Sequence, residues 1–154
     1  MTIRVLVVGS GGREHALVWA LSRSPERVEL FAAPGNGGTA RLATNVPLRA
    51  EDIDGLVALA VDQQIDLVVV GPEAPLAMGL VDRLLAAGIR AFGPTAAAAR
   101  IEASKAFSKA LMRDQGIPTG WFSTFTDYDS ARAFLEAHPA PIVIKADGLA
   151  AGKG

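Results

Sequence analysis

Short runs of β-branched and aliphatic residues alternate along this chain with stretches whose apolar positions recur every three or four residues. Residues 3–8 form the first such run; it is bounded by Gly9 and predicts a buried strand. Residues 13–23 place Ala16, Leu17, Ala20 and Leu21 on one face of a predicted helix. A second strand is expected over 28–32, then a loop of breaker residues from Ala33 to Thr39, then a short strand over 45–48. Helical spacing returns at 52–63 through Ile53, Leu56, Val57 and Ala60. Residues 66–70 are the most apolar strand candidate and stop at Gly71-Pro72. A helix over 76–87, capped by Gly88, and a strand over 89–92 complete the series before Gly93-Pro94.

Strands alternating with helices at this spacing specify an α/β fold, a Rossmann-like parallel sheet with helices on both faces. Continuously apolar strands agree, because a strand covered on both sides has no polar face. Ligands of such sheets bind at the carboxyl ends of the strands. Three loops meet that condition: 9–15, 34–38 and 71–74. After Gly93-Pro94 the pattern changes. Helices are expected over 95–100 and 104–115, the latter with Phe107, Leu111 and Met112 as its apolar face. A strand at 121–125, a helix at 129–137, a strand at 141–145 and a glycine-rich loop at 146–154 follow. The domain boundary is expected between 94 and 104, dividing the chain into 1–100 and 101–154.

Composition narrows the chemistry. The 154 residues allow one full domain and the start of a second, and half of them are hydrophobic. Fifteen basic against 16 acidic side chains leave a formal net charge of −1, which offers no footprint for nucleic acid or an anionic membrane surface. The absence of cysteine excludes disulfides and cysteine-based metal sites or nucleophiles, and suits a reducing cytoplasm. His15 and His138 are too few and too far apart in sequence to suggest zinc, and no metal ligand set is expected here. No apolar run approaches the ~20 residues of a membrane span. The N-terminal run is too short for a signal peptide.

The first loop, Gly9-Ser10-Gly11-Gly12-Arg13-Glu14, departs from the dinucleotide fingerprint. Its third glycine would fall on Glu14, and the second strand ends Phe31-Ala32-Ala33-Pro34 without the expected acid. Backbone N–H groups at a helix N-terminus still favour an anion, and Arg13 adds a charge suited to phosphate. The alternative is a tight turn with Arg13 and Glu14 solvated. His15 reads as a helix residue with a local hydrogen bond. The second loop, with Asn36, Gly37 and Gly38, suits close backbone approach to a ligand or serves as a flexible connection. Glu73 either bonds sugar hydroxyls or an amine, or complements the dipole of the helix it begins.

The tail superficially resembles a Walker loop. Gly148 and Gly152 enclose three residues where that motif needs four, and Gly154 stands where Ser or Thr would hold Mg²⁺. It is a different nucleotide loop, or none. Lys145, at the end of an apolar strand beside this loop, suits phosphate charge or an exposed strand end.

Six segments in order carry a resemblance: 8–16, 33–39, 70–76, 92–95, 104–107 and 143–154. Together they resemble the N-terminal part of the phosphoribosylamine–glycine ligase family, also called glycinamide ribonucleotide synthetases. The resemblance implies an ATP-grasp enzyme with a pre-ATP-grasp domain up to about residue 100 and the incomplete first part of an ATP-grasp domain after it. It implies ligation of glycine to 5-phosphoribosylamine with conversion of ATP to ADP and phosphate. Gly11, Gly12, Arg13, Glu14, Asn36, Gly37, Gly38 and Glu73 are expected toward the phosphoribosyl substrate. Lys105, Lys145, Gly148, Gly152 and Lys153 are expected at ATP, Gly148 onward beginning a lid. Mg²⁺ (or Mn²⁺) is expected for the full-length enzyme, with its acidic ligands outside these residues and no complete catalytic set within them. This chain is therefore expected to be inactive alone and to self-associate through a cut sheet edge at 142–144, whereas the full-length family member is expected to be a monomer. The competing expectations are a non-catalytic nucleotide- or phosphosugar-binding module and another ATP-grasp ligase.

Overall fold

Ile3–Gly9 forms β1, the central strand of a five-stranded parallel sheet, in the computed structural model, which describes residues 2–150. The remaining strands are β2 (Val28–Pro34), β3 (Thr44–Asn45), β4 (Leu67–Val70) and β5 (Arg90–Phe92). Their order across the sheet is β3-β2-β1-β4-β5. Val5, Leu6, Val7 and Val8 pair with Leu30 to Ala33 on one side and with Leu67 to Val70 on the other. The chain thus extends the sheet in one direction through β2 and β3, then returns to the far side of β1 with β4. That reversal leaves a crevice beyond the carboxyl ends of β1 and β4.

Alternate residues of β1 serve opposite faces, as the pleat requires. Leu6 and Val8 join Phe31, Val68 and Val70 in one core, against Leu56 and Ala60 of α2 (Ile53–Asp62) and Leu80, Val81 and Leu84 of α4 (Leu80–Ala86). Val5 and Val7 join Leu30, Ala32 and Val69 in the other, against Val18 of α1 (Gly12–Ser22). Both faces being covered explains the unbroken apolar runs.

The helix expected over 76–87 is two helices. α3 (Glu73–Ala77) starts earlier, and α4 starts after Gly79, whose φ of 87° is left-handed and ends the first piece. Pro75 sits within the first turn of α3, where its missing N–H would have had no intrahelical partner anyway. The third strand is shorter than expected, only Thr44–Asn45.

The chain divides into two units, Met1–Arg100 and Ile101–Gly154, with the break inside α5 (Ala96–Ala103). In the second unit, α6 (Lys105–Asp114) is capped by the Ser104 hydroxyl, which accepts from the Phe107 N–H at 3.1 Å. α7 (Tyr128–Ala137) is capped by Asp127, which accepts from the Ser130 N–H at 2.8 Å. The strands expected at 121–125 and 141–145 are corrected: no ladder forms over either stretch. A strand exists only through a partner's backbone, whatever its own β-propensity. Two rings of 121–125 pack on α7 instead. Trp121 stacks on Phe134 at 5.5 Å, and Phe125 tilts against Phe134 at 5.0 Å. Val143 and Ile144 are 78% and 71% exposed.

A crevice at three strand ends

Three loops converge at the carboxyl edge of the sheet, following β1, β2 and β4. β1 ends on Gly9, with φ 127°, and α1 opens at Gly12 with Gly11 as its N-cap. This presents the first amides of α1 toward the crevice, where the helix dipole favours an anion. Arg13, in that first turn, donates from one guanidinium nitrogen to the Gly71 carbonyl at 2.7 Å and to Glu73 Oε1 at 3.2 Å. It therefore bridges the β1 loop to the β4 loop. Glu73 stays partly exposed, and its own backbone N–H, then the Arg13 hydrogen bond, hold its carboxyl below the ordinary carboxylate value.

Asn36 performs the corresponding bridge from the β2 loop. Its Nδ2 donates to the carbonyls of Ser10 and Gly11 at 2.9 and 3.2 Å. Its Oδ1 accepts from the N–H groups of Gly38 and Thr39 at 2.7 and 3.1 Å. Asn36 thus spends both its donor and its acceptor on loop structure. The Thr39 hydroxyl, fully buried, accepts from the Asn36 N–H at 2.7 Å and lies 2.8 Å from Asn45 Oδ1. Asn45 Nδ2 donates to the Asn36 carbonyl at 2.9 Å. Thr39 and Asn45 were not among the expected site residues. The Asn36–Thr39 spacing is a local turn signal that could have marked Thr39; Asn45 comes from the next strand and has none.

Glycines divide into two kinds here. A side-chain carbon on Gly12 or Gly37 would meet no atom within 4 Å, so both face open space. One on Gly38 would lie 2.6 Å from His15 Nδ1, so the imidazole packs on that glycine. Glu14 differs from its neighbours: it is 5% exposed, turned inward, and accepts from the Gly11 N–H at 2.7 Å.

In the second unit, Lys105 is half-buried and its ammonium donates to the Gly148 carbonyl at 2.8 Å. Asp147 accepts from the Ser104 hydroxyl at 2.9 Å and from the Ala106 N–H at 3.1 Å. Those bonds, the Ala106 N–H foremost, hold its carboxyl below the usual value. The start of the glycine-rich loop is thus fastened to the N-terminus of α6, and Gly148 turns with φ 105°. Lys145 is exposed. Gly152 and Lys153 lie outside the described residues.

Among the described residues no group of three or more His, Cys, Asp or Glu is placed to hold a metal ion. Among the same residues no helix is long and apolar enough to cross a membrane.

Comparison with known proteins gives one consistent result. Residues 3–102 match the family described as phosphoribosylglycinamide synthetase, N domain, and residues 103–154 match its ATP-grasp (A) domain. The chain is 53% identical over 154 residues to a phosphoribosylamine–glycine ligase of Xanthomonas campestris pv. campestris, covering 99% of this chain and 36% of that protein. It is 54% identical to the ligase of that name from Nostoc sp., again with 99% and 36% coverage. The crystal structure of phosphoribosylamine–glycine ligase from Thermotoga maritima superposes with a TM-score of 0.77 at 35% identity, covering 99% of this chain and 35% of that one. A biotin carboxylase domain of a single-chain bacterial carboxylase, with a TM-score of 0.73 at 22% identity over 97% of this chain and 38% of that one, shares the fold. The chain spans about a third of the length of the curated relatives it matches.

Proposed function

Because the chain belongs to the phosphoribosylglycinamide synthetase family, we propose that it supplies the phosphoribosyl-binding crevice and the first ATP-contacting residues of a ligase. That ligase joins glycine to 5-phosphoribosylamine. On this reading residues 1–100 are the pre-ATP-grasp domain and 101–154 the first part of the ATP-grasp domain. The observation that carries it is the convergence of the β1, β2 and β4 loops, tied by Asn36 and Arg13. Open glycines at 12 and 37 leave room for a ligand against bare backbone, and Arg13 follows the first of them.

In the reaction, ATP is the phosphoryl donor. The glycine carboxylate takes its terminal phosphoryl group, releasing ADP; the phosphoribosylamine nitrogen then attacks the resulting acyl carbon, and phosphate leaves. Arg13, Gly12, Gly37 and Glu73 hold the sugar phosphate and orient the amine, while Gly11, Asn36 and Gly38 fix the loops that line it, which lowers the entropic part of the barrier. Lys105 and Lys145 offset phosphate charge as it redistributes. Gly148, Gly152 and Lys153 begin the cover that excludes water. The chemistry Mg²⁺ supplies in such ligases, charge neutralisation on the phosphates, needs donors other than the described ones. These 154 residues alone are expected to bind without turnover. A chain without cysteine suits a reducing cytoplasm.

Titration calorimetry with glycinamide ribonucleotide tests the reading. Arg13→Ala should weaken binding by ~1.5–3 kcal/mol, the range for a hydrogen bond to a charged group. Equal affinities for the two proteins would remove Arg13 from the site. Absence of binding to the unmodified chain would refute a crevice that works within the first unit.

A further inference from the structure

Glu14 sits in the crevice wall, yet its surroundings are those of a structural wedge. Its carboxylate accepts from the Gly11 N–H at 2.7 Å and only 5% of the residue is exposed. Three glycines on two different loops are needed to admit it. A side-chain carbon on Gly9 would lie 2.6 Å from Glu14 Cγ, and one on Gly11 would lie 2.9 Å from Oε2. One on Gly71, distant in sequence and just past the end of β4, would lie 2.7 Å from both Cγ and Cδ. No side-chain carbon in a folded protein sits that close to a neighbour, so the glutamate side chain occupies the volume those glycines vacate.

We propose that Glu14 is a positioning residue: it wedges between the β1 and β4 loops, aims the Gly12 amide and Arg13 at the crevice by holding the Gly11 N–H, and does not itself touch the phosphosugar. The geometry explains why a carboxylate is tolerated beside a site that takes a phosphate. One oxygen is committed to Gly11, and the buried side chain fills the space among Gly9, Gly11 and Gly71. Arg13, the next residue back, reaches the same β4 loop from the outer side through the Gly71 carbonyl and Glu73. The two neighbours therefore clamp Gly71 from two directions, one by packing and one by a charged hydrogen bond. This inference rests on the crevice reading above for its functional consequence, but the wedge itself is tested without any ligand.

The test uses the 154-residue chain, with nuclear magnetic resonance of the Gly11 amide and hydrogen exchange at Val68 and Val69 as independent readouts. In Glu14→Ala the Gly11 amide loses its acceptor and should exchange at least tenfold faster, while Val68 and Val69 keep their protection. Glu14→Gln retains an acceptor oxygen of the same reach and should leave Gly11 within about threefold of its original rate. Gly71→Ala forces Glu14 out and should reproduce the Glu14→Ala exchange pattern. Added to Glu14→Ala, it should change nothing further, because the clashing side chain is gone. If Glu14→Ala fails to fold, Glu14→Asp replaces it, since a carboxylate one methylene shorter does not reach Gly11. Unchanged Gly11 exchange in these variants, or additive effects of Gly71→Ala and Glu14→Ala, overturns the wedge. Calorimetry with glycinamide ribonucleotide then separates positioning from contact. Tenfold or greater loss in Glu14→Ala with near-full affinity in Glu14→Gln is expected. Equal loss in both shows the charge touching the ligand and overturns the proposal. A wild-type chain that binds nothing counts against the crevice reading alone, and the exchange data still decide the wedge.

Discussion

Replacing Thr39 by Val removes one oxygen from a fully buried position while keeping its shape. Thr39 is fully buried, and its hydroxyl accepts from the Asn36 N–H and offers its single proton to either Asn45 Oδ1 or the Asn36 carbonyl. The Asn36 carbonyl keeps Asn45 Nδ2 as a donor and the Ala40 N–H besides, so it survives the change. The Asn36 N–H and Asn45 Oδ1 do not. Leaving a buried donor or acceptor unpaired costs ~1–3 kcal/mol each. Because the bonds are only part-buried, the lower half of the range applies, and the sum is ~2–4 kcal/mol. Thr39→Ser keeps the hydroxyl and forfeits one methyl group, about 1 kcal/mol. Urea denaturation followed by Trp19, the tryptophan of the first unit, reads the difference. With a slope of ~2 kcal/mol per molar urea, the valine midpoint should fall by about 1–2 M and the serine midpoint by about 0.5 M. A valine protein as stable as the serine one would refute the reasoning, since it would mean that the network is satisfied by water or not closed at all.

Other consequences follow from single contacts. Glu73 has a folded pKa held below the ordinary value of 4.5, so its contribution to stability is present above that pH and is lost as pH falls through the lower, folded value. Acid titration of Glu73→Gln should accordingly lack part of the destabilisation seen below pH 4.5 in the parent; identical acid curves would contradict it. In the second unit Asp147 behaves the same way below its ordinary 3.8, and Asp147→Asn should loosen the tie to Ala106, read as faster exchange of that amide at neutral pH. Backbone amides of Val68 and Val69, inside β4 and buried, should exchange far more slowly than those of Val143 and Ile144, which belong to no ladder. Equal protection at the two places would show that the latter stretch has found a partner.

The parallel α/β architecture was legible in the sequence because its signals are local. An apolar run closed by Gly9, or by Gly71-Pro72, specifies a strand covered on both faces, and the helical spacing of Leu56 and Ala60 specifies the face that covers it. The three strand-end loops were legible for the same reason: glycines mark where backbone turns or a neighbour comes close. The strands expected at 121–125 and 141–145 were not decidable from their own residues. Val143 and Ile144 have the composition of a strand, but strand identity belongs to a pair, and the partner is a tertiary fact. The break at Gly79 shows the same limit, since spacing through 76–87 reads as one helix until a left-handed residue divides it. At the crevice, residue types announced where chemistry would gather; only the fold decided what each side chain does. Asn36, expected toward the substrate, ties the β2 loop to the β1 loop, Asn45 gave no sign and completes a buried network, and Glu14 fits among Gly9, Gly11 and Gly71. Packing is a property of several chain segments at once, so no window of sequence contains it.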